Sequence, residues 1–192
     1  LETSNFMSEE KLIQLAKEGD KDALRELVKQ HEKTLYSFAF KICRNKDKAE
    51  DIMQETFLSM IKSLKNFDGN SKLSTWLYRI TVNHCLMSAR SKKKELFVEP
   101  NDDDELFAEK HAADWSTIPN QSLENKELRE ILDQSINKLA PDYRIVFTLR
   151  DVQQLSTEET AGITGLSVAA VKSRLHRARA FLRNEISEAF KK

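Results

Sequence analysis

The sequence predicts an all-α chain folded as two small helical domains. Helix breakers are rare, with 4 Gly and 3 Pro in 192 residues, so few positions interrupt a helix. Apolar residues recur at three- and four-residue spacing in window after window, and strand-like alternation is scarce. The charge also falls into blocks. Residues 1–98 hold 18 Lys+Arg against 14 Asp+Glu, residues 99–127 hold 2 against 9, and residues 128–192 hold 11 against 8. A net charge of zero therefore conceals two basic blocks, +4 and +3, on either side of an acidic one of −7. Nucleic acid responds to such local patches more than to the total. Each block is long enough for only a modest core of its own.

Within the first block, Leu24, Leu27, Val28, Leu35, Phe38 and Ile42 make the apolar stripe of a helix from about Asp22 to Cys43. A second helix follows from about Asp47 to Leu64. The turn Phe67-Asp68-Gly69-Asn70 separates it from a third, about Ser74 to Lys93, which runs into the cluster Lys92-Lys93-Lys94. These elements define a domain over residues 1–95. Residues 96–122 carry Pro100, Pro119 and the run Asp102-Asp103-Asp104-Glu105 with little periodicity, the pattern of a flexible acidic linker. The second domain, residues 123–192, begins with a helix over Leu123–Leu139. Pro141 opens another that continues through Asp151, and two more start at Thr157 and Val168.

Cys43 and Cys85 stand far apart, with no spacing suited to zinc or a disulfide framework, and read as buried thiols in a reducing compartment. No apolar run reaches membrane-spanning length, and Leu1 to Glu10 has no signal-peptide hydrophobic region. The expectation is a soluble, cytoplasmic protein without membrane insertion.

The most specific local pattern lies near the C-terminus. Ser156 and Glu159 have capping-box spacing, in which the hydroxyl accepts from a free amide of the new helix and the carboxylate reaches back to the cap. Gly165 supplies the backbone geometry of a helix end, and Ser167 can cap the next helix two residues later. Ala161, Gly165 and Val171 then stand where a helix-turn-helix needs a small residue, a turn glycine and an apolar lock. On the second helix Val171, Leu175, Ala178, Leu182 and Ile186 gather on one side. Lys172, Ser173, His176 and Arg177 gather on the other, offering donors for base edges and phosphates, with Arg174 and Arg179 on the flanks suited to the backbone. One such basic face taken alone is usually a solvated surface. Agreement between turn and charge favours DNA binding.

The strings Leu155-Ser-Thr-Glu-Glu-Thr-Ala and Leu166-Ser-Val-Ala-Ala-Val-Lys-Ser-Arg-Leu-His-Arg-Ala-Arg resemble region 4 of extracytoplasmic-function sigma factors, the part that reads the −35 element. Leu139-Ala-Pro-Asp-Tyr-Arg-Ile-Val-Phe-Thr-Leu-Arg is similar to the family's approach to that motif. The resemblance implies that Arg150, Lys172, Ser173, His176 and Arg177 meet −35 DNA, and Arg174 is assigned to the same duplex from its flanking place on the helix.

Asp51-Ile-Met-Gln-Glu-Thr-Phe57 resembles the family's region 2.2, which docks on the clamp helices of RNA polymerase. The helical wheel places Ile52, Thr56, Phe57, Met60 and Ile61 on a core face and Asp51, Gln54, Glu55 and Leu58 on the opposite side, as one polymerase-facing stripe. Leu73-Ser-Thr-Trp-Leu-Tyr-Arg-Ile80, with Asn83 and Arg90, resembles regions 2.3 and 2.4, which melt and read the −10 element. Trp76, Leu77, Ile80 and His84 are read as the inward face of that helix, with His84 a packed or boundary histidine. Arg79, Asn83 and Arg90 share another face with Leu86, so an amide suited to base edges sits between two cations suited to phosphates.

The resemblance implies that a flipped base enters a pocket near Asn83, and that Leu73, where relatives often carry an aromatic, offers an apolar wedge. Met87 stands where relatives often carry an aspartate. The acidic linker would thread the polymerase near its cleft.

The chain is thus expected to be a specificity subunit made of a sigma region 2 bundle and a sigma region 4 helix-turn-helix. Its implied partners are core RNA polymerase, through clamp helices and flap, promoter DNA as −10 single strand and −35 duplex, and an anti-sigma factor. No catalytic residue, metal or cofactor is expected. A stand-alone DNA-binding regulator could use the same C-terminal helices. A metal hydrolase built on His31, His84, His111 and His176 is disfavoured, because no His pair has ligand spacing and no glycine-rich phosphate loop occurs.

Overall fold

The computed structural model describes residues 7–92 and 126–190, apart from the side chains of residues 90–92 and 126–129. The expected linker over 96–122 lies outside the described residues. The chain divides into two compact units, Leu1–Met87 and Ser88–Lys192, and every described element is helical. Among the described residues no helix is long and apolar enough to cross a membrane.

The first unit opens with a helix absent from the sequence expectation, α1 (Glu9–Glu18), which buries Leu12. Ser8 caps it by accepting from the Lys11 amide, and Glu9 and Glu10 sit in its first turn, where carboxylates complement the helix dipole. Gly19, at φ 99°, ends it in the left-handed region, and Asp20 at once caps α2 (Lys21–Cys43) by accepting from Asp22 and Ala23 at 2.9 Å each. Helix α1 is fastened at both ends. His31 Nε2 lies 2.8 Å from Glu9 Oε1, and Lys17 Nζ donates to the Phe67 carbonyl at 2.5 Å.

Arg44, left-handed at φ 55°, closes α2, and Asn45 caps α3 (Lys46–Ser63) by accepting from the Lys48 amide at 2.9 Å. A single 3-10 turn, Leu64–Asn66, and a bend at Phe67–Asn70 then lead into α4 (Leu73–Lys92). In the bend the Asp68 carboxylate accepts from the Asn70 backbone amide at 3.0 Å, which holds its pKa below the usual value.

Helix α4 packs on α2 and α3 together. The rings of Phe38 and Tyr78 meet at 4.4 Å between centroids, and Phe67 meets Trp76 at 5.1 Å. The hydroxyls of Thr56 and Thr81 lie 3.3 Å apart at full burial, each also within 2.9 Å of a carbonyl one turn back on its own helix, so this polar pair in the core is satisfied. Ser59 Oγ lies 3.0 Å from His84 Nε2, which makes His84 a half-buried boundary residue.

Two faces differ from the sequence expectation. Ile61, assigned to the core, is 46 % exposed and continues the outer stripe of α3. On α4 the fully buried row is Leu73, Leu77, Thr81 and Cys85, flanked by Tyr78 and Val82, whereas Trp76, Ile80 and His84 are only half buried. A helix wedged between two neighbours buries a broader arc than a one-sided amphipathic helix, and its centre here is displaced by about one residue step on the wheel. Cys43 and Cys85, distant in sequence, meet with 3.5 Å between sulfurs. Cys85 is buried, but Cys43 is only half buried, contrary to the expectation of two buried thiols.

In the second unit α5 (Lys126–Lys138) is followed by α6 (Pro141–Phe147), with Pro141 in the first turn, where its missing amide costs nothing. The buried Arg144 donates from Nη2 to the carbonyls of Asn137 at 2.8 Å and Leu139 at 2.5 Å, capping the end of α5. A π-helical turn, Thr148–Val152, interrupts the expected continuous helix. The last pair, α7 (Thr157–Thr164) and α8 (Val168–Ala189), begins at the expected residues. The core of this unit is Leu139, Val146, Phe147, Val171, Leu175, Ala178 and Leu182, with Ala161 and Leu166 packed against it.

Candidate nucleic-acid and protein interfaces

The turn between α7 and α8 is built by local chemistry. Ser156 Oγ accepts from the Glu159 amide at 3.0 Å, and the Glu159 carboxylate accepts from the Ser156 amide at 2.7 Å, a complete capping box. Gly165 sits at φ 72°, its amide donates to the Ala161 carbonyl at 2.9 Å, and Ser167 caps α8 by accepting from the Ala170 amide at 3.1 Å. Val171, fully buried, locks α8 onto the core. The helix-turn-helix thus follows from cap, glycine and cap in sequence.

Of the residues assigned to −35 DNA, the structure brings Lys172, Ser173, His176 and Arg177 together on the outer side of α8, with Lys172 exposed and the other three half buried. Arg174 turns toward α6, 3.8 Å from Asp142. Arg150 lies in the π-helical turn, where Nη1 donates to the Leu155 carbonyl, bracing the loop that enters α7. Arg179 is not a phosphate-facing flank. Its Nε and Nη2 donate to the two Asp151 carboxylate oxygens at 2.9 and 2.6 Å, and this fork raises the guanidinium pKa further. The sequence reading missed this pair because nothing in one-dimensional spacing links residues 28 apart.

In the first unit, Asp51, Gln54, Glu55 and Leu58 are all exposed along α3, and Ile61 extends the row. Leu58 at 49 % and Ile61 at 46 % exposure form the apolar end of a row that begins with carboxylates and an amide. Large apolar side chains adjacent on one helix face and open to solvent make a small apolar patch.

On α4, Arg79 and Asn83 are exposed one turn apart, with Leu86 half buried next along the row and Met87 at 66 % exposure beside it. Arg90 lies on the same helix, but its side chain is outside the described residues. Leu73 does not join this surface. It is 1 % exposed and belongs to the core, because it opens α4 on the side that faces the bundle. An apolar wedge at that position would have to leave the core first. Among the described residues no group of three or more His, Cys, Asp or Glu side chains could hold a metal ion.

Both units match known sequence families. Residues 27–95 match Sigma-70 region 2, and residues 129–182 match Sigma-70, region 4. The chain is 33% identical over 184 residues to the ECF RNA polymerase sigma factor SigW of Bacillus subtilis (strain 168), covering 93% of this chain and 96% of that protein. It is 30% identical over 173 residues to the RNA polymerase sigma-H factor of Pseudomonas aeruginosa, covering 89% and 90% respectively. Among solved structures it resembles CnrH, determined in complex with the cytosolic domain of CnrY, with a TM-score of 0.62 and 25% identity over 92% of this chain and 96% of that one. The fold is shared with the sigma factor RpoE of Bartonella quintana, at a TM-score of 0.61 and 24% identity over 85% of this chain and 96% of that one.

Proposed function

This chain belongs to the extracytoplasmic-function family of RNA polymerase sigma factors, and on that premise we propose how its surfaces divide the work. It binds core RNA polymerase and directs it to promoters. Its relatives are transcription regulators rather than enzymes, so bond-making stays with the polymerase. It acts in the cytoplasm, where the polymerase is.

The observation that carries this reading is the outer stripe of α3. A stand-alone regulator that used only the helix-turn-helix would have no need for Leu58 and Ile61 to stand exposed on α3, in one row with Asp51, Gln54 and Glu55. Exposed apolar side chains beside polar ones suit a protein interface. The stripe is assigned to the polymerase clamp helices. Arg79, Asn83 and Arg90 on α4 are assigned to the opened −10 strand, where amide and cations can take a base edge and phosphates. Leu73 is left out, as a core residue. Lys172, Ser173, His176 and Arg177 on α8 are assigned to the −35 duplex, with Arg150 and Arg174 beside them. These two meet DNA only by exchanging the contacts they already make with Leu155 and Asp142. Residues 1–95 and 123–192 act as two reading heads, joined by residues 96–122 as an acidic linker.

Two heads on one polymerase make each DNA contact intramolecular for the other, so modest single affinities add up to strong promoter selection. Control by an anti-sigma factor fits the same reading, since the sigma factor RpoE of Bartonella quintana was solved in complex with the anti-sigma factor NepR.

Gel filtration with purified core polymerase separates this reading from a stand-alone regulator. The full chain should co-elute with core and bind promoter DNA tightly only in its presence. Tight, sequence-specific binding by the chain alone, without co-elution, would favour the regulator.

A further inference from the structure

The fold brings the two cysteines of the chain into contact. Cys43 is the last residue of α2, Cys85 lies on the buried row of α4, and their sulfurs are 3.5 Å apart across 42 residues. Their exposures differ: Cys85 is 5 % exposed, and Cys43 is half buried. A disulfide requires a sulfur separation of about 2.05 Å, so closing this one needs an approach of roughly 1.5 Å. The left-handed Arg44 and the cap Asn45 follow Cys43 directly, so the movement falls at a helix end rather than in the middle of one.

We propose that Cys43 and Cys85 form an oxidation site, at which a hydroperoxide converts the two thiols into an intramolecular disulfide that ties the end of α2 to α4 and impairs promoter opening.

The chemistry balances in two steps. The Cys43 sulfur attacks one oxygen of hydrogen peroxide, the O–O bond breaks, and the departing hydroxide takes the Cys43 thiol proton, so the products are a sulfenic acid on Cys43 and one molecule of water. The Cys85 sulfur then attacks the Cys43 sulfur, the S–O bond breaks, and the hydroxyl leaves with the Cys85 proton as a second water. Two electrons pass from the thiol pair to the peroxide. The order follows from access and protonation. The contact with Cys43, and then burial, push the Cys85 thiol above its ordinary pKa, so Cys85 stays protonated and reacts second. In a reducing compartment such a bond is transient and is reopened by dithiol reductants, as a sensing bond must be.

The functional consequence rests on the reading of α4 as the −10 head. Cys85 lies two residues from Asn83 on the same helix. A displacement at Cys85 is therefore carried by a stiff helix to the exposed Asn83, and a pocket for an extruded base tolerates little misalignment.

The test uses the full chain, reduced and then treated with hydrogen peroxide. Intact-mass spectrometry should show the loss of two hydrogen atoms, with monomeric mobility on a non-reducing gel, both thiols closed to N-ethylmaleimide after unfolding, and full reversal by dithiothreitol. Cys43→Ser should abolish the mass loss, and Cys85→Ser provides a second, independent check. With core polymerase on a promoter selected by the reduced chain, opening should fall about tenfold on oxidation, the scale of one lost pocket hydrogen bond. It should recover with dithiothreitol and be indifferent to peroxide in Cys43→Ser. Oxygen adducts on Cys43 with Cys85 still alkylatable, or only cross-linked dimers, would overturn the site. A disulfide that forms without slowing promoter opening would overturn its consequence. A reduced chain that opens no promoter would count against the sigma reading, while the mass result would still decide the site.

Discussion

The guanidinium of Arg179 holds the carboxylate of Asp151 at two points, 2.9 and 2.6 Å, and so fastens the π-helical turn to the helix proposed to read the −35 element. The two side chains are 32 % and 20 % exposed, sheltered enough for the fork to survive screening in part. Arg150 precedes Asp151 in the same turn, so the ion pair fixes where Arg150 stands relative to α8. Arg179→Ala should loosen α8 by about 1–2 kcal/mol, as for a two-point charge-assisted contact that is partly solvated. Hydrogen exchange of the α8 amides would report it. Arg179→Lys, which keeps the charge but not the fork, should recover only part of the protection.

Leu73 and Asn83 occupy one helix but should fail in opposite ways. Leu73, at 1 % exposure, loses packing when truncated, and Leu73→Ala should cost about 2–4 kcal/mol of stability with its cavity. Asn83 is exposed, so Asn83→Ala should leave the unfolding transition in place and reduce promoter opening by holoenzyme. Chemical denaturation and permanganate footprinting of the two variants would separate these effects. A Leu73→Ala chain of normal stability with defective opening would restore the wedge.

Leu58 and Ile61, at 49 % and 46 % exposure, contribute little to the core. Leu58→Asp and Ile61→Asp should each unfold like the parent chain, yet weaken binding to core polymerase by about 2 kcal/mol or more if they are anchors of the interface. A competition assay for core would measure it. Ile61 is the sharper variant, because the sequence alone places it in the core.

Gly165, at φ 72°, has nothing within 4 Å of where a Cβ would stand. Gly165→Ala therefore meets no steric clash, and its cost is the left-handed backbone alone, about 1–2 kcal/mol. Thermal unfolding should show a moderate loss, with α7 and α8 still formed. A collapse of the second unit would mean that the turn is held by more than its backbone.

The helix-turn-helix was legible because its boundaries are local chemistry: Ser156, Glu159, Gly165 and Ser167 each do in the structure what their side chains or backbone freedom imply. The outer stripe of α3 was legible from spacing, except at Ile61, where the wheel cannot tell the rim of a core from its centre. Leu73 was read as an accessible wedge because a comparison of residue types says nothing about burial. Helix α1 escaped notice because it is short and mostly polar, burying one residue, Leu12. The meeting of Cys43 with Cys85 and of Asp151 with Arg179 depends on how helices pack, which no local pattern encodes.

Transcription from a promoter library by core polymerase reconstituted with the full chain tests the central claim most directly. The account predicts that adding the chain to core produces new start sites sharing one −35 and −10 pair at fixed spacing. Alanine at Lys172 or Arg177 should weaken dependence on the first element, and alanine at Asn83 dependence on the second. No new start site at any salt concentration, with a chain that is folded and in excess over core, would contradict it.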